Sequence, residues 1–314
     1  MQPIQPTQPT LEQFITYSAA PLRPPIRWPG NARVALWFAP NIEYYEYLPA
    51  PTPHKNPWPR VPHPDVMHYG YRDYGNRIGF WRMLEVFDQY KMPATISLNL
   101  AVLDHFPEIR DAMVKRDWEL MSHGIYNTRQ LFGLSIEEER AFYRDCIETL
   151  KRHTGRQLKG MLGPAFTATV NTPDLMAEAG LTYSTDWFVD DQPFPVKVKQ
   201  GRLINVPYSR ELNDSLLFQG AAWEGDYFVE ICKRQFDVLY EEGALSGQVM
   251  CIALHPYLIG QPHRIKYLAE IFAYLRSFKD VWITTAENIA EHYYTHYYDA
   301  EVVRLAQPAM KGGL

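Results

Sequence analysis

The regular alternation of short apolar runs with amphipathic segments most constrains how this 314-residue chain can fold. Strand-like runs lie at 33–38, 94–98, 119–122, 159–162, 183–187, 249–254 and 281–284. Helical spacing of apolar residues follows at 78–89, 107–116, 135–153, 173–179, 227–240, 265–276 and 286–296. Strands that alternate with helices form parallel sheets through right-handed crossovers, so the pattern predicts an α/β fold. About seven such units fit one closed or nearly closed barrel better than an open sheet with two halves.

The barrel is predicted to occupy residues 31–298. Residues 1–30 are rich in Pro and Gln and lack periodicity, which is typical of an N-terminal arm over the surface or a neighbouring subunit. Residues 299–314 are predicted to be a C-terminal tail. A long irregular loop is predicted at 48–68, where Pro residues cluster with His54, His63 and His68.

Charge and hydropathy narrow the range of partners. The net charge of −5 comes without a basic block, which argues against nucleic acid and anionic membranes as partners. No apolar run is long enough to span a bilayer, and the N-terminus has no secretory pattern. Three scattered cysteines are typical of buried reduced thiols. We therefore expect a cytoplasmic protein that acts on a small molecule.

Polar side chains follow several predicted strands, where parallel barrels carry their chemistry. Asn41 and Glu43 end the first strand and share one face of an extended segment. His123 follows the strand at 119–122, and His255 follows the strand at 249–254. Their joint occurrence predicts one catalytic site.

Simpler explanations exist for each of these residues alone. Either histidine could be a structural residue that is hydrogen-bonded in the core. Glu43 could form an ordinary buried ion pair with Arg77 or Arg82. Asp190 and Asp191 could form a solvated turn after the strand at 183–187.

Several motifs carry a family resemblance over about residues 33–297. They include NIE at 41–43, YGNRIGFWRMLEVFD at 74–88, SHG at 122–124, TDWFVDDQPF at 185–194 and LHPYLIGQPHR at 254–264. With these motifs the chain resembles the polysaccharide deacetylase superfamily (carbohydrate esterase family 4). It is most similar to the intracellular branch of allantoinases, cyclic imide hydrolases and peptidoglycan-deacetylase-like proteins. The resemblance implies a deformed (β/α) barrel and a homo-oligomer, often a tetramer.

The chain departs from the family pattern at three positions. Asn41 stands where the resemblance implies a catalytic Asp base, and Glu43 stands at the position of a metal-binding Asp. Asn127 replaces the second His of the H-x-x-x-H metal pair, whose first member is His123. A zinc ion held by Glu43, His123 and Asn127 would be bound weakly, because the amide oxygen is neutral. A loop histidine could supply another ligand.

Hydrolysis of an amide without metal requires an activated water, a polarised carbonyl and a protonated leaving nitrogen. We expect Glu43 to be the general base, with a pKa raised toward neutrality by burial. His255 is the expected general acid. His123, Asn41 and Asn127 are the expected donors to the oxyanion.

Residues beside this site are candidates for substrate binding. The aromatic candidates, which could stack on a small flat ring or simply pack in the core, are Tyr44, Tyr45, Trp187 and Phe188. Asp190 and Asp191 could orient a catalytic histidine or hold substrate N–H groups. Glu211, Asn213 and Asp214 are weaker candidates of the same kind.

These features predict a hydrolase acting on a non-peptide C–N bond of a small, cyclic amide, imide or ureide. Two alternatives remain open. One is a metal-dependent deacetylase of a small N-acyl or carbohydrate substrate. The other is a catalytically inactive barrel that binds a metabolite or scaffolds an oligomer.

Overall fold

A computed structural model describes residues 10–50 and 63–307, and within them the chain forms one mixed α/β unit. The strands are β1 (Val34–Ile42), β2 (Thr95–Leu98), β3 (Glu119–Ser122), β4 (Gly160–Met161), β5 (Tyr183–Ser184), β6 (Phe194–Val196), β7 (Leu203–Asn205), β8 (Gln248–Leu254) and β9 (Val281–Ile283). They form one curled sheet in the order β6-β7-β5-β4-β3-β2-β1-β8, and β9 also pairs with β1. All pairings are parallel except that of β6 with β7. The prediction of a deformed, mainly parallel barrel is therefore confirmed.

Helices cover the outer face of the sheet and close its ends. They are α1 (Val66–Tyr74), α2 (Phe80–Tyr90), α3 (Val102–His105), α4 (Pro107–Lys115), α5 (Ile136–Thr154), α6 (Thr172–Glu178), α7 (Gly225–Glu242), α8 (Pro256–Ile259), α9 (Ile265–Arg276), α10 (Ala286–His296) and α11 (Tyr298–Ala306). A π-helical turn, Gly75–Gly79, joins α1 to α2. A capping box begins α5, with Ser135 and Glu138 each bound to the other's backbone N–H. No helix among the described residues is both long and apolar enough to cross a membrane.

The strand β1 separates two apolar layers, because alternate side chains point to opposite faces. Val34, Leu36 and Phe38 pack with the outer helices, where Phe38 meets Phe272 at 4.8 Å between ring centroids. Trp37 and its neighbours two residues away pack inside the barrel with residues of β7, β8 and α10. The inward alternation continues to Asn41 and Glu43, so the same register that buries Trp37 also turns these polar side chains inward.

The barrel remains open between β6 and β8, which end the sheet. Val249 N donates to Asp191 O across this opening at 2.8 Å. The N-terminal segment covers the same opening, since Gly247 N donates to Ile26 O at 2.9 Å. We call this region, where the N-terminal segment and the Asp191 loop meet the start of β8, the seam.

Several elements differ from the sequence predictions, and the short helices α3 and α8 are among those not predicted. The hairpin of β6 and β7 was not predicted, and α1 begins inside the segment predicted as an irregular loop at 48–68. The helix α11 occupies the first part of the predicted tail at 299–314. Within the predicted arm, residues 1–9 lie outside the described part of the chain, as does His54 in the loop.

Candidate active site

Three side chains predicted from the strand ends meet at the C-terminal side of the barrel. Glu43 Oε1 lies 3.6 Å from His123 Nε2 and 3.6 Å from His255 Nε2. All three side chains are buried. A carboxylate oxygen thus faces the reactive nitrogen of two imidazoles that come from β3 and β8.

The ring of His255 is oriented by Asp214. Asp214 Oδ1 lies 2.7 Å from His255 Nδ1, and Asp214 Oδ2 accepts the backbone N–H of His255 at 2.8 Å. A parallel bridge between Asn213 and Ala253 brings these residues together. Asp214, a weaker candidate from the sequence, is therefore the residue that orients His255. The suggestion that Asp190 or Asp191 orients His255 was wrong, because Asp190 forms an ion pair with Arg23.

The tautomer of neutral His123 follows from its partner. Its Nδ1 lies 3.0 Å from Leu162 O. A carbonyl oxygen can only accept, so Nδ1 carries the hydrogen and Nε2 faces Glu43 as an acceptor. Asn99 connects the ends of β1 and β3, since it accepts from Tyr44 N at 2.9 Å and donates to His123 O.

The Glu43 carboxylate accepts hydrogen bonds from an amide and a phenol and is not paired with Arg77 or Arg82. Asn127 Nδ2 donates to Glu43 Oε1 at 3.1 Å, and the Tyr45 hydroxyl donates to Oε2 at 3.0 Å. Asn127 Nδ2 also donates to the Tyr45 hydroxyl. The simpler explanation of a Glu43 pair with Arg77 does not hold, because Arg77 binds Asp73. Arg82 donates instead to Tyr74 and to Gly260 O.

The charges of the centre differ from the sequence prediction. Burial by itself would raise the pKa of Glu43, but the positive charge of His255, together with the nearby imidazole of His123, holds that pKa well below its usual range. The expectation of a Glu43 pKa near neutrality was therefore wrong. Burial by itself would lower the pKa of His255, but Asp214 and Glu43 raise it to about 10. At neutral pH the centre holds an ionised Glu43 and a protonated His255.

The hydrogen-bond donors that were predicted to stabilise the oxyanion are already bonded to other groups. Asn41 Nδ2 donates to Tyr208 Oη at 3.0 Å and to the carbonyl oxygens of Ala39 and Leu254 at 3.1 and 3.3 Å. Asn127 Nδ2 serves Glu43 and Tyr45, and His123 Nδ1 is engaged with Leu162 O. The Tyr208 hydroxyl accepts from Asn41 and keeps its own hydrogen for another partner, so Tyr208 is a better candidate donor than the three predicted residues.

Two of the predicted substrate-binding aromatics pack elsewhere. Tyr44 contacts His105 and Phe106, with ring centroids 4.7 and 5.2 Å away, so it belongs to the packing of α3. Trp187 stacks on Phe14 of the N-terminal segment at 5.9 Å. Because neighbours in sequence alternate between faces, Tyr45 shares the face of Glu43 and Tyr44 does not. Contact of Tyr44 and Trp187 with substrate stays a prediction.

A cavity of about 470 Å³ lies beside the centre. Tyr208 lines it and also contacts Asn41, so this ring separates the cavity from the catalytic residues. Phe188 and Phe166 stand near Tyr208, with ring centroids 6.0 and 6.1 Å from it. The predicted binding residues Asp190, Asp191 and Glu211 line the same cavity. Their contact with substrate stays a prediction.

The residues present do not fit a divalent metal centre. Among residues 10–50 and 63–307, no three His, Cys, Asp or Glu side chains are arranged to hold a metal ion. Asn127 turns its Nδ2 toward Glu43, whereas its Oδ1 is buried without a hydrogen-bond partner. The predicted third ligand is therefore a donor to Glu43. Of the loop histidines, His68 lies 2.6 Å from Asp65.

The residues that sequence reasoning missed come from segments without a strand-end signal. Tyr208 follows the short strand β7. Arg72 lies on α1, where its guanidinium carbon stands 4.6 Å from the centroid of the Tyr45 ring. Only the R-E-L-N-D stretch at 210–214 offered a hint, since it ends in Asp214.

Known proteins resemble this chain in sequence and in structure. A family model described as polysaccharide deacetylase matches residues 69–184. A Schizosaccharomyces pombe protein named "putative polysaccharide deacetylase" is 28% identical over 293 residues, which cover 84% of this chain and 91% of that protein.

Two solved structures are similar over most of their length. One, described as a "probable polysaccharide deacetylase" from Pseudomonas aeruginosa PAO1, has a TM-score of 0.77 and 29% identity, covering 88% of this chain and 95% of that one. The other is an allantoinase with a TM-score of 0.76 and 28% identity, again covering 88% of this chain and 95% of that one.

Proposed function

Because the chain carries a polysaccharide deacetylase domain, and is thus a hydrolase of non-peptide C–N bonds, we propose that it opens a small cyclic amide, imide or ureide. The observation that carries the proposal is the position of Glu43 Oε1, 3.6 Å from Nε2 of both His123 and His255. In the neutral form of its ring His123 Nε2 accepts a hydrogen bond, and Nε2 of protonated His255 donates one. Such a pair of imidazoles around a carboxylate suits the addition of water to a carbonyl and the release of an amine.

The attacking water is placed between Glu43 Oε1 and His123 Nε2, with one O–H directed to each. Its oxygen bonds to the substrate carbonyl carbon while its proton passes to Glu43. The C–N bond then breaks, and the nitrogen takes the proton from His255 Nε2. Transfer of the Glu43 proton to His255 Nε2 then restores both residues. The products are a carboxyl group and an N–H on the opened ring, so atoms and protons balance.

The oxyanion of this addition is assigned to the Tyr208 hydroxyl. Asn41 donates to the Tyr208 oxygen and thereby directs its hydrogen elsewhere. One such preorganised donor typically lowers the activation barrier by about 3 kcal/mol.

The nature of the base favours an activated substrate. A carboxylate with a lowered pKa is a weak proton acceptor, and the described residues supply no metal site to polarise the carbonyl. Ring strain or a second nitrogen on the carbonyl eases the attack, as in imides and ureides. The similarity to an allantoinase structure and the aromatic side chains around the cavity support the same substrate class.

A metal-dependent deacetylase of a small N-acyl compound is the second candidate, and the names of the relatives favour it. It requires a divalent ion, which we expect this donor set to bind weakly. A small-molecule substrate, a cytoplasmic location and a homo-oligomeric state complete the proposal and rest on sequence pattern and resemblance.

A hydrolysis screen tests the proposal. Cyclic imides, allantoin, hydantoins and N-acetyl compounds would each be assayed with and without a chelator. We expect ring opening that the chelator leaves unchanged, and we expect Glu43→Gln to lower kcat at least about 100-fold. Chelator-sensitive release of acetate would favour the second candidate. No turnover of any substrate would favour the inactive barrel.

A further inference from the structure

We infer that the Tyr45 hydroxyl, beneath the Arg72 guanidinium, is a positioning group that holds the Glu43 carboxylate apart from His255 so that Glu43 Oε1 stays available to the attacking water. The inference rests on the function proposed above. It gives a positioning role to Tyr45, which was predicted only as a substrate-binding aromatic, and to Arg72, which was not predicted. The distance between Glu43 Oε1 and His255 Nε2 is longer than their opposite charges would favour.

Two carboxylates face the same imidazole in different ways. Asp214 Oδ1 lies 2.7 Å from His255 Nδ1, the usual length of a charge-assisted hydrogen bond. Glu43 Oε1 stops 3.6 Å from His255 Nε2. Since all three side chains are buried, attraction between Glu43 and His255 is weakly screened and would draw them together. A restraint must therefore hold Glu43 back.

The restraint is visible in the partners of Glu43. Tyr45 donates to Oε2 at 3.0 Å, and Asn127 donates to Oε1 at 3.1 Å. Asn127 also donates to the Tyr45 hydroxyl, which closes a triangle of three hydrogen bonds. Asn76 Nδ2 fixes the backbone by donating to Glu43 O at 2.9 Å. Rotation of the carboxylate toward His255 would break the bond with Tyr45.

Arg72 holds the phenol in place. Its guanidinium carbon lies 4.6 Å from the Tyr45 ring centroid and 5.7 Å from that of Tyr257. The Arg72 side chain is buried, so its cation–π contacts with the two rings are little weakened by water. The ring of Tyr257 in turn stands 5.4 Å from the ring of His255. Arg72 and its two aromatic neighbours thus fix Tyr45 relative to both partners.

Loss of the hydroxyl would let Glu43 bond directly to His255. Such a bond would occupy the acceptor that the attacking water needs and would engage the proton that the leaving nitrogen needs. The chemical step would slow, whereas substrate binding, which depends on other surfaces, would change little.

Tyr45→Phe tests this role, because it removes the hydroxyl and keeps the ring beneath Arg72. We expect a crystal structure of the variant to show Glu43 Oε1 about 2.8 Å from His255 Nε2. We expect kcat to fall about 10- to 100-fold with KM changed less than about twofold. Tyr126→Phe is the matched control, since its hydroxyl lies 3.1 Å from the surface His105 Nε2.

Arg72 provides a second variant. Arg72→Met should reproduce the loss of kcat, and Arg72→Lys should restore part of it, because a cation remains over the ring. An unchanged Glu43–His255 distance in Tyr45→Phe would overturn the inference, and so would a change confined to KM. If wild-type protein hydrolyses nothing in the screen, the proposed function fails, but the distance in the variant still decides the positioning role.

Discussion

At the scale of single residues, Asp214 determines when His255 can act as an acid. Both oxygens of Asp214 accept from His255, one from the ring and one from the backbone. Burial alone would lower the pKa of His255, whereas the charges of Asp214 and Glu43 raise it to about 10. An acid must be protonated to work, so activity should persist through neutral pH and fall as pH rises through this pKa.

Asp214→Asn should therefore weaken His255 as an acid and shift its pH dependence. Without the Asp214 charge the His255 pKa is lower, so the alkaline fall in kcat/KM should move to lower pH. We also expect kcat to drop about 100-fold at neutral pH, because the ring loses the orientation that aims Nε2. A pH profile of kcat/KM measures both effects.

The chain offers a matched control for this change. Asp104 Oδ1 lies 2.7 Å from His153 Nε2 on the surface, so Asp104→Asn removes a similar contact. Its pH profile should coincide with that of the wild type. An Asp214→Asn profile with the wild-type alkaline limb would show that another group sets this limb.

Sequence reasoning found the residues whose position follows from a strand end. Glu43, His123 and His255 stand directly after apolar runs, so parallel topology alone brings them to one edge. Asp214 and Tyr208 depend on how the irregular segment after β7 meets β8, which no periodicity encodes. The roles of Asn41 and Asn127 depend on which atom of each amide faces Glu43 or Tyr208, and composition does not determine that.

At the scale of elements, the opposite end of the barrel holds a buried carboxyl at the start of α10. Glu119 Oε2 accepts from Thr95 Oγ1 at 2.6 Å and from Glu287 N at 3.0 Å. Tyr183 donates to its other oxygen. Glu119 thus joins three strands and helix α10. Burial raises its pKa from 4.5 to about 7, against the effect of these hydrogen bonds.

This raised pKa predicts a pH-dependent stability. The folded state binds the Glu119 proton more tightly than the unfolded state, so its contribution to stability is fully present below about pH 4.5 and is lost as pH rises to about 7. Each pKa unit corresponds to about 1.4 kcal/mol, so the loss is about 3 kcal/mol. Glu119→Gln should remove this slope, because an amide stays neutral at every pH.

Urea unfolding between pH 4.5 and 7 measures the effect. The Glu119→Gln amide can accept from Thr95 and donate to the Tyr183 oxygen, so we expect the variant to fold. Glu270→Gln, which neutralises an exposed carboxyl on α9, should leave the slope unchanged. A variant as pH-dependent as the wild type would place the titrating group elsewhere.

Elements with an apolar stripe were predicted closely, and those without one were missed. The helix α9 was predicted at 265–276 and observed over Ile265–Arg276, because Leu268, Ile271, Phe272 and Leu275 are buried at helical spacing. The buried side of α1 consists instead of His68, Arg72 and Asp73, so hydrophobic periodicity could not reveal it. The strands β6 and β7 have three residues each, too few for an alternating pattern.

At the scale of the whole molecule, the fold is a half-barrel that its own N-terminal segment completes. The seam has no continuous ladder between β6 and β8 among the described residues. It is held by single contacts, including Gln192 Nε2 to Gly247 O at 2.9 Å and Ile26 N to Ser246 Oγ at 3.0 Å. Because the cavity beside the active site opens along the same side, the seam must stay closed for that cavity to keep its shape.

The ion pair of Arg23 with Asp190 joins the N-terminal segment to the Asp191 loop at the seam, and a double-mutant cycle can measure its strength. The two residues make contacts of 2.7 and 2.6 Å, and their side chains are only 18% and 14% exposed. A paired, mostly buried arginine and carboxylate should couple by about 1 kcal/mol, more than most surface pairs. Urea unfolding of Arg23→Met, Asp190→Asn and the double variant gives the coupling energy. Additive losses would mean that the pair contributes nothing beyond the packing of each side chain, and that apolar contacts of the N-terminal segment close the barrel.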